Sequence, residues 1–297
     1  MHPNDFAQLI PIEKGWSGDK KFCAVTASGE KYLLRISAPE QFARKQGTFE
    51  MMQRTATLGI PMCMPVEYGT CGDGVYILET WIDGEDAETA IPRCTPEQQY
   101  SYGVQAGQFL AKIHTQPAPA EAVPWSERYG AKIDRKLKGY AACPLKYENG
   151  DVFLDYIAAH RHLISDRPQA IHHGDYHTGN LMIDREGRLT VIDFDRDDHG
   201  DPWEEFNRIV WCIAVSHPFA SGLVNGYFAD DVPLEFWQLL ALYITTNTLS
   251  SLPWAIPYGE GEIATMRSQA KDILSWYDNL TCVIPSWYID PEKVKSL

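Results

Sequence analysis

The chain has 297 residues, of which 44% are hydrophobic and 22% are charged. This length exceeds that of a usual single hydrophobic core, so the sequence predicts a globular protein with two lobes. The 40 acidic and 26 basic residues give a formal net charge of -14. Because binding to phosphate backbones requires a basic face, this charge speaks against nucleic acid as the main partner. It would attract a cationic ligand, and its alternative role is only to keep the protein soluble.

The N-terminal segment lacks the basic and long apolar regions of a secretory signal, and the chain has no uninterrupted apolar run of about eighteen residues. We therefore expect a cytoplasmic protein without a membrane partner, and leave its state open between monomer and homodimer. The seven cysteines are odd in number and none has Cys-x-x-Cys spacing. This spacing indicates free thiols and neither a disulfide framework nor a zinc ribbon.

The first predicted elements are strands. Segments 22–26, 31–36 and 75–81 are rich in β-branched and aromatic residues and are bounded by turn residues. They predict a small antiparallel sheet. A turn signal at Asp83-Gly84 then marks a change in composition, after which helical patterns dominate. The sequence therefore predicts an α+β protein with a β-rich lobe at 1–83 and a mostly helical lobe at 84–297.

A helix is expected between the second and third strands. Residues 37–40 have the Ser-x-x-Glu pattern of a capping box. After them, Phe42, Phe49 and Met52 recur at helical spacing and are expected to form the buried face.

The densest polar cluster of the chain lies between His172 and Asp195. Segments 181–183 and 189–192 read as two short strands joined by a turn, which would place Asn180 beside Asp193. A carboxamide and a carboxylate are hard oxygen ligands, which suit magnesium that completes its shell with phosphate oxygens. Asp175 precedes Asn180 by five residues, near enough to meet a hydroxyl that approaches the terminal phosphate.

These residues resemble a known family. His173-Gly174-Asp175 with Asn180, followed by Ile192-Asp193-Phe194-Asp195, is similar to the Brenner-type catalytic loop and metal-binding aspartate of the aminoglycoside phosphotransferase and choline kinase group. The resemblance implies the two-lobed protein-kinase-like fold. It also implies Mg²⁺-dependent transfer of the terminal phosphate of ATP or GTP to a hydroxyl of a small molecule, aminoglycoside-like or amino-alcohol-like.

The resemblance assigns roles to the loop residues. It makes Asp175 the catalytic aspartate and Asn180 and Asp193 the metal ligands, while His173 and Asp201 are expected to buttress the loop.

The first lobe carries the remaining nucleotide contacts that the resemblance implies. Ser17 and Gly18 stand where the family has its phosphate-covering loop, and otherwise read as an ordinary turn. Glu79 and Trp81 stand at the hinge whose backbone meets the purine; the alternative is a plain connection between lobes.

Arg35 occupies the place of the family's phosphate-binding lysine, which is a departure from the pattern. An arginine keeps the charge and is able to contact phosphate, whereas the alternative is a strand-edge side chain in solvent. Glu50, on the following helix, is the predicted partner of Arg35, with a solvated helix face as its alternative.

Two polar residues of the loop region, His177 and Asp195, keep more than one interpretation. His177 could touch phosphate or metal, or hydrogen-bond to the loop backbone, whereas His172 and His199 are expected to be structural. Asp195 could bind a second Mg²⁺, attract a cationic substrate or stabilise the loop.

The acceptor pocket is expected near the C-terminal helices. Trp254, Tyr258, Glu260 and Glu262 could form an aromatic and acidic pocket for an amine-bearing substrate, although most aromatic residues of this part are expected in the core.

Two other function classes remain open at this stage. One is a metal-dependent hydrolase built on histidines and aspartates of the cluster, namely His172, His173, Asp175, His177 and Asp193. Adjacent His172 and His173 would point apart on an extended segment, and Asn180 would have no task in a zinc site. The other is a catalytically silent relative that binds nucleotide as a sensor or partner.

Overall fold

The computed structural model describes residues 2–13, 18–72 and 74–296. Backbone contacts divide the chain into two compact units. Unit 1 comprises Met1–Ala90 and Gly179–Asp197, and unit 2 comprises Ile91–Thr178 and Asp198–Leu297.

The secondary structure follows the α+β class that the sequence predicts. The strands are β1 (Gln8–Ile12), β2 (Lys20–Val25), β3 (Lys31–Ser37), β4 (Pro65–Cys71), β5 (Gly74–Thr80), β6 (Gly84–Asp86), β7 (Ala170–His172), β8 (Leu181–Asp184), β9 (Leu189–Val191) and β10 (Asp198–Gly200). The α-helices are α1 (Phe42–Ala56), α2 (Ala87–Ala90), α3 (Pro96–Ile113), α4 (Trp125–Ala142), α5 (Gly150–His160), α6 (Ile209–Val215), α7 (His217–Phe228), α8 (Leu234–Ala255) and α9 (Glu260–Trp276). Several 3₁₀ helices connect them, including Pro202–Arg208.

Unit 1 is built on a five-stranded antiparallel sheet in the order β1-β2-β3-β5-β4. The three predicted strands are confirmed as β2, β3 and β5, and Leu34, Tyr76 and Leu78 form the buried centre of the sheet. The sequence did not predict β1 and β4. Both are edge strands with largely exposed or half-exposed side chains, so neither shows a buried alternation.

The boundary between the units differs from the predicted division at residues 83 and 84. Strand β6 pairs with β8, and β8 pairs with β9, which brings residues 84–90 and 179–197 into unit 1. The hairpin is also tied to the loop before β4, because Val191 N donates to the Pro61 carbonyl at 2.9 Å and its carbonyl accepts from Cys63 N at 3.0 Å. Because the β8–β9 hairpin lies far along the chain from β6, no local sequence pattern indicates that the two pair.

The start of α1 and part of its buried face were predicted wrongly, although Met52 is buried as expected. Ser37 ends β3, and its hydroxyl donates to Asp19 Oδ1 at 2.7 Å instead of capping a helix. Phe42 is 45% exposed, whereas Lys45 and Thr48 are buried. The helix therefore turns partly polar residues inward, which only charged or hydrogen-bonding partners permit.

The central contact of unit 2 joins α3 and α7 through glycines. Gly103 and Gly107 on α3 face Gly222 and Gly226 on α7, with a spacing of four residues on each helix. A Cβ at Gly103 would lie 2.1 Å from the Phe219 carbonyl oxygen. The two backbones therefore approach more closely than any larger side chain would allow.

Asp201 is the fully buried acceptor around which part of unit 2 is assembled. Its carboxylate accepts from Arg167 Nε at 2.7 Å and from the Tyr243 hydroxyl at 2.6 Å. The same carboxylate caps the 3₁₀ helix through Trp203 N at 3.0 Å. Its main-chain carbonyl is 3.0 Å from His172 Nε2. Asp201 therefore supports the end of β7, which leads into the loop at Asp175.

Glu205 supports the same loop directly. Its buried carboxylate accepts from His173 N at 2.9 Å and from Gly174 N, and lies 3.1 Å from His114 Nε2. Gly174 has φ 89°, a left-handed conformation that glycine adopts without strain. Burial alone would raise the pKa of Glu205, but the hydrogen bond from His114 and the neighbouring histidines lower it to about 2.

Among the described residues, every helix is either too short or too polar to span a lipid bilayer. All seven cysteines are free thiols.

The close contact between α3 and α7 should be sensitive to substitution of its glycines. Gly103→Ala should reduce the free energy of unfolding by about 1–3 kcal/mol, because the added methyl group forces α3 and α7 apart. The matched control is Gly139→Ala inside α4, where an added Cβ meets nothing within 4 Å. It should be neutral or stabilise by up to about 1 kcal/mol. Urea unfolding of both variants measures the difference, and equal effects would contradict the close approach.

The Glu205 carboxylate makes a prediction about pH. Its pKa of about 2 lies below the usual 4.5, so its stabilisation is present above pH 4.5 and is lost as pH falls toward 2. A shift of this size corresponds to about 3 kcal/mol. Glu205→Gln should therefore be destabilising at pH 7, with a deficit against the wild type that shrinks below pH 4.5. The exposed Glu127→Gln is the control and should stay within about 0.5 kcal/mol. A deficit that does not change with pH would contradict the assignment.

Candidate active site

The predicted site residues fall into two groups, one in each unit. In unit 1, the β8–β9 hairpin forms as predicted, with Leu181 opposite Val191. Ile192 N donates to the Asn180 carbonyl at 3.1 Å, which places Asp193 next to Asn180 at the open end of the hairpin. Asp193 adopts the left-handed conformation (φ 62°, ψ 59°), a costly state for a residue with a Cβ. The backbone therefore holds Asp193 in one specific orientation.

Arg35 lies on β3 with 3% of its surface exposed, so its solvent-facing alternative is wrong. Its guanidinium is paired with Asp193, and its Nη2 lies 2.9 Å from Asp195 Oδ2. Burial would lower the pKa of Arg35, but the charges of Asp193, Glu79 and Asp195 raise it. The cation is thus fixed beside the predicted metal ligand.

A second buried cation, Lys45 on α1, was not predicted. Its Nζ lies 2.7 Å from Asp19 Oδ2 and is also paired with Asp195. Burial would raise the pKa of Asp19, but the hydrogen bonds from Lys45 and Ser37 lower it. Gly18, just before Asp19, is exposed. The other residue predicted for this loop, Ser17, lies outside the described residues.

Glu50 is not the partner of Arg35. It is exposed and accepts a hydrogen bond from Gln46 at 3.0 Å. Five residues along an α-helix correspond to a rotation of about 140° relative to Lys45. Glu50 therefore points away from the buried face of α1, and the prediction is wrong.

Glu79 is buried at the end of β5, close to Cys63 and Arg35. Burial raises the pKa of its carboxyl, and within the described part of the chain its Oε2 has no hydrogen-bond partner. The backbone of the next residue, Thr80, donates to the Met64 carbonyl at 2.9 Å. Trp81 follows the strand and is half-buried. The role of this segment in purine binding stays a prediction.

In unit 2, Asp175 contacts the Pro202–Arg208 segment and residues of its own loop. Arg208 Nε lies 3.2 Å from Asp175 Oδ1, and His177 Nε2 lies 3.7 Å from the same oxygen. The backbone N of Asp175 donates to His173 Nδ1 at 3.3 Å. The side chain is 17% exposed. His173 is thus placed to buttress the loop, and Asp175 has a cation against one oxygen.

The remaining candidates are distributed as follows. Asp195 binds both Arg35 and Lys45, which accords with a role in stabilising its loop. His199 Nδ1 lies 3.7 Å from Asp198 Oδ1, and burial lowers its pKa.

The predicted aromatic pocket lies on the surface of unit 2. Trp254 and Tyr258 are 45% and 51% exposed, with ring centroids 4.8 Å apart, so neither belongs to the core. Glu260 is exposed and Glu262 is half-exposed in the first turn of α9. Their role in acceptor binding stays a prediction.

The chemistry of the unit 1 donors fits magnesium. Asn180, Asp193 and Asp195 offer amide and carboxylate oxygens, and a magnesium ion in such sites takes few protein ligands and keeps water or phosphate oxygens. Within residues 2–13, 18–72 and 74–296, no three His, Cys, Asp or Glu side chains are arranged as a metal cluster. His172 is engaged with the Asp201 carbonyl. The histidine-based hydrolase site therefore lacks its ligand set among these residues.

Lys45, Asp19, Glu205 and Arg208 are the site residues that sequence reasoning missed. Only Lys45 had a local signal: Lys45 and Thr48 precede Met52 of the apolar stripe by seven and four residues, which places them on the same side of the helix. The others act through partners distant in the chain, for which a single sequence offers no pattern.

Comparison with known proteins agrees with this geometry. Residues 8–237 match the model of the phosphotransferase enzyme family, APH. No curated protein matches the chain in sequence. Among solved structures, a thermostable mutant of the aminoglycoside phosphotransferase APH(4)-Ia in complex with ADP and hygromycin B has a TM-score of 0.65 at 17% identity, over 91% of this chain and 94% of that chain.

Two further neighbours are a kinase and a kinase family protein with other named small molecules. The amicoumacin kinase hAmiN in complex with AMP-PNP, Ca²⁺ and Ami has a TM-score of 0.64 at 13% identity, covering 95% of this chain and 91% of that chain. A choline/ethanolamine kinase family protein from Mesorhizobium loti has a TM-score of 0.62 at 17% identity, covering 93% and 92%. The predicted kinase-like fold is thereby confirmed. The chain therefore belongs to the phosphotransferase enzyme family and is a kinase that phosphorylates hydroxyl groups of small molecules.

Proposed function

We propose that this enzyme uses magnesium-bound ATP or GTP and transfers the terminal phosphate to a hydroxyl of a small molecule, with Asp175 as the proton acceptor. The observation that supports it most is the end of the β8–β9 hairpin, where Asn180 and Asp193 stand side by side next to the buried cation Arg35. Oxygen donors for a divalent ion and a fixed positive charge are the two requirements of a polyphosphate ligand.

Arg35 and Lys45 are the proposed phosphate-binding cations. Both are nearly fully buried and each is paired with aspartates of unit 1. Because the guanidinium is planar and always charged, Arg35 is able to replace the family's lysine as a phosphate ligand, with two parallel hydrogen bonds. A magnesium ion would be held by Asn180 and Asp193 and would neutralise the negative charge of the phosphates. Asp195 keeps both cations oriented.

Asp175 is proposed to accept the proton of the acceptor hydroxyl. In a loose transition state the protein supplies mainly position and charge, so the fixed orientation of the base matters more than its strength. The hydrogen bonds of His173 and Glu205 fix the loop, and Arg208 fixes one carboxylate oxygen.

The neighbours support the finer parts of the proposal. The APH(4)-Ia structure holds ADP with hygromycin B, and the amicoumacin kinase holds AMP-PNP with Ca²⁺ and Ami. We therefore propose a nucleoside triphosphate donor, a divalent cation and a hydroxylated acceptor for this chain. Magnesium, the choice between ATP and GTP, the cytoplasmic location and the state as monomer or homodimer stay predictions from the sequence.

The base assignment is tested by Asp175→Asn. Phosphate transfer should fall by about 10²–10⁴-fold, because the amide cannot accept the proton. The dissociation constant for magnesium-nucleotide should stay within about twofold, since no proposed metal ligand is changed. The assay is a phosphotransfer screen with ATP and GTP across aminoglycosides, other antibiotics, amino alcohols, sugars and hydroxy acids. Asp231→Asn, an exposed aspartate, is the control.

Undiminished transfer by Asp175→Asn would reject the assignment of Asp175 as the base. Nucleotide binding without transfer to any acceptor would favour the silent relative.

The phosphate-binding cations are tested by Lys45→Met and its control Glu50→Gln on the same helix. Loss of a charged hydrogen bond worth about 1.5–3 kcal/mol should weaken magnesium-ATP binding by about tenfold or more. Glu50→Gln should leave it unchanged because Glu50 faces solvent. Lys45→Arg, which keeps the charge, separates loss of the cation from loss of folding. Calorimetric titration measures the affinities, and equal binding by the Lys45→Met and Glu50→Gln proteins would contradict the role of Lys45.

A further inference from the structure

Helix α4 is basic in an otherwise acidic chain. Over its 18 residues it carries five of the 26 basic residues of the protein and two acidic ones. Its basic residues are Arg128, Lys132, Arg135, Lys136 and Lys138. A predominantly basic helix is unexpected in a protein of net charge -14.

Three of these cations share one face of the helix. Arg128, Lys132 and Lys136 are spaced by four residues, which places them in one row. Lys132 Nζ is bound to Glu204 Oε1 at 2.8 Å, and Lys136 Nζ to Asn247 Oδ1 at 3.2 Å. The row therefore packs against α8 and against the Pro202–Arg208 segment.

The same segment reaches the catalytic loop. Glu204, the partner of Lys132, is four residues before Arg208, whose Nε lies 3.2 Å from Asp175 Oδ1. Arg208 thus contacts the proposed base directly, and Lys136 lies near enough to Arg208 and Lys132 for their positive charges to act on it, within a single unit of the fold.

Lys136 differs from the other two in its partner. Lys132 and Arg208 are each bound to a carboxylate, whereas the acceptor of Lys136 is the neutral carboxamide of Asn247. Within the described part of the chain, no carboxylate forms an ion pair with Lys136. Burial and the positive charges of Lys132, Arg208 and Arg135 together lower the pKa of Lys136 to about 7, against the opposing effect of Glu204. A half-buried ammonium without an anion is costly, and an anionic ligand would remove that cost.

We propose that the acceptor molecule carries an anionic group, a carboxylate or a phosphate, that binds Lys136 with Lys132 and Arg208 beside it. The inference rests on the proposed function and specifies its substrate class. The hydroxyl oxygen of this acceptor forms a bond to the terminal phosphorus, its proton passes to Asp175, and the bond from that phosphorus to the bridging oxygen breaks to release the nucleoside diphosphate. A purely cationic acceptor, which the net charge of the chain favours, would be repelled at this position.

The test compares acceptors that are alike except for the anionic group: gluconate with glucose, serine with ethanolamine, and glycerol phosphate with glycerol. For the wild type with magnesium-ATP, kcat/KM should be at least about tenfold higher for the anionic member of a pair. Lys136→Met should remove this preference mainly through KM, and Lys136→Arg should keep most of it. Lys138→Met, an exposed lysine of the same helix, should change nothing.

A direct binding measurement completes the test if none of these acceptors is phosphorylated. Inorganic phosphate is titrated calorimetrically into the wild type and Lys136→Met, each with magnesium-ADP bound. The wild type should bind phosphate at least about tenfold more tightly than Lys136→Met. Equal binding by both proteins would overturn the inference.

The two hypotheses fail in different ways. Transfer that depends on Asp175 but prefers neutral or cationic acceptors, and is indifferent to Lys136→Met, would overturn the anionic acceptor and leave the kinase intact. Phosphate binding that depends on Lys136, in a protein that has no affinity for magnesium-nucleotide, would instead reject the kinase assignment.

Discussion

The buried carboxylate of Glu205 is the constraint on which the catalytic loop depends. The loop passes through Gly174 in a left-handed conformation, so its amides cannot join a strand or a helix. Buried amides need an acceptor, and Glu205 accepts from both His173 N and Gly174 N while His114 contacts the same carboxylate. Because an ionised carboxylate forms stronger hydrogen bonds than a neutral acceptor, the position of Asp175 follows from a charge buried 30 residues further along the chain.

One short segment combines support and chemistry in unit 2. Asp201 holds Arg167, Tyr243 and the end of β7, and Glu205 holds the loop. Arg208 ends the same 3₁₀ helix and contacts Asp175. Since all three lie within eight residues, movement of this segment would change the scaffold and the proposed base together. Stability and activity are therefore physically linked here.

In unit 1, the buried charges are two cations paired with aspartates. Arg35 and Lys45 are buried, which is affordable only with close anions, and Asp19, Asp193 and Asp195 supply them. The same groups are suited to exchange partners when a metal-bound polyphosphate arrives, because the ligand brings both signs of charge. The pairing of the two cations with these aspartates lowers the desolvation cost of their burial.

The sequence by itself determined the central strands β2, β3 and β5, the β8–β9 hairpin, the α+β class and the family, because strand alternation, turn residues and a dense motif are local in the chain. Tertiary structure alone decided the edge strands, the inward face of α1 and the partners of the buried charges. Arg35 and Asp193 are 158 residues apart. Glu50 and Lys45 are charged residues of one helix, and the sequence alone does not indicate which of them is buried. Periodicity reports which residues share a face, whereas burial and charge pairing depend on what folds against that face.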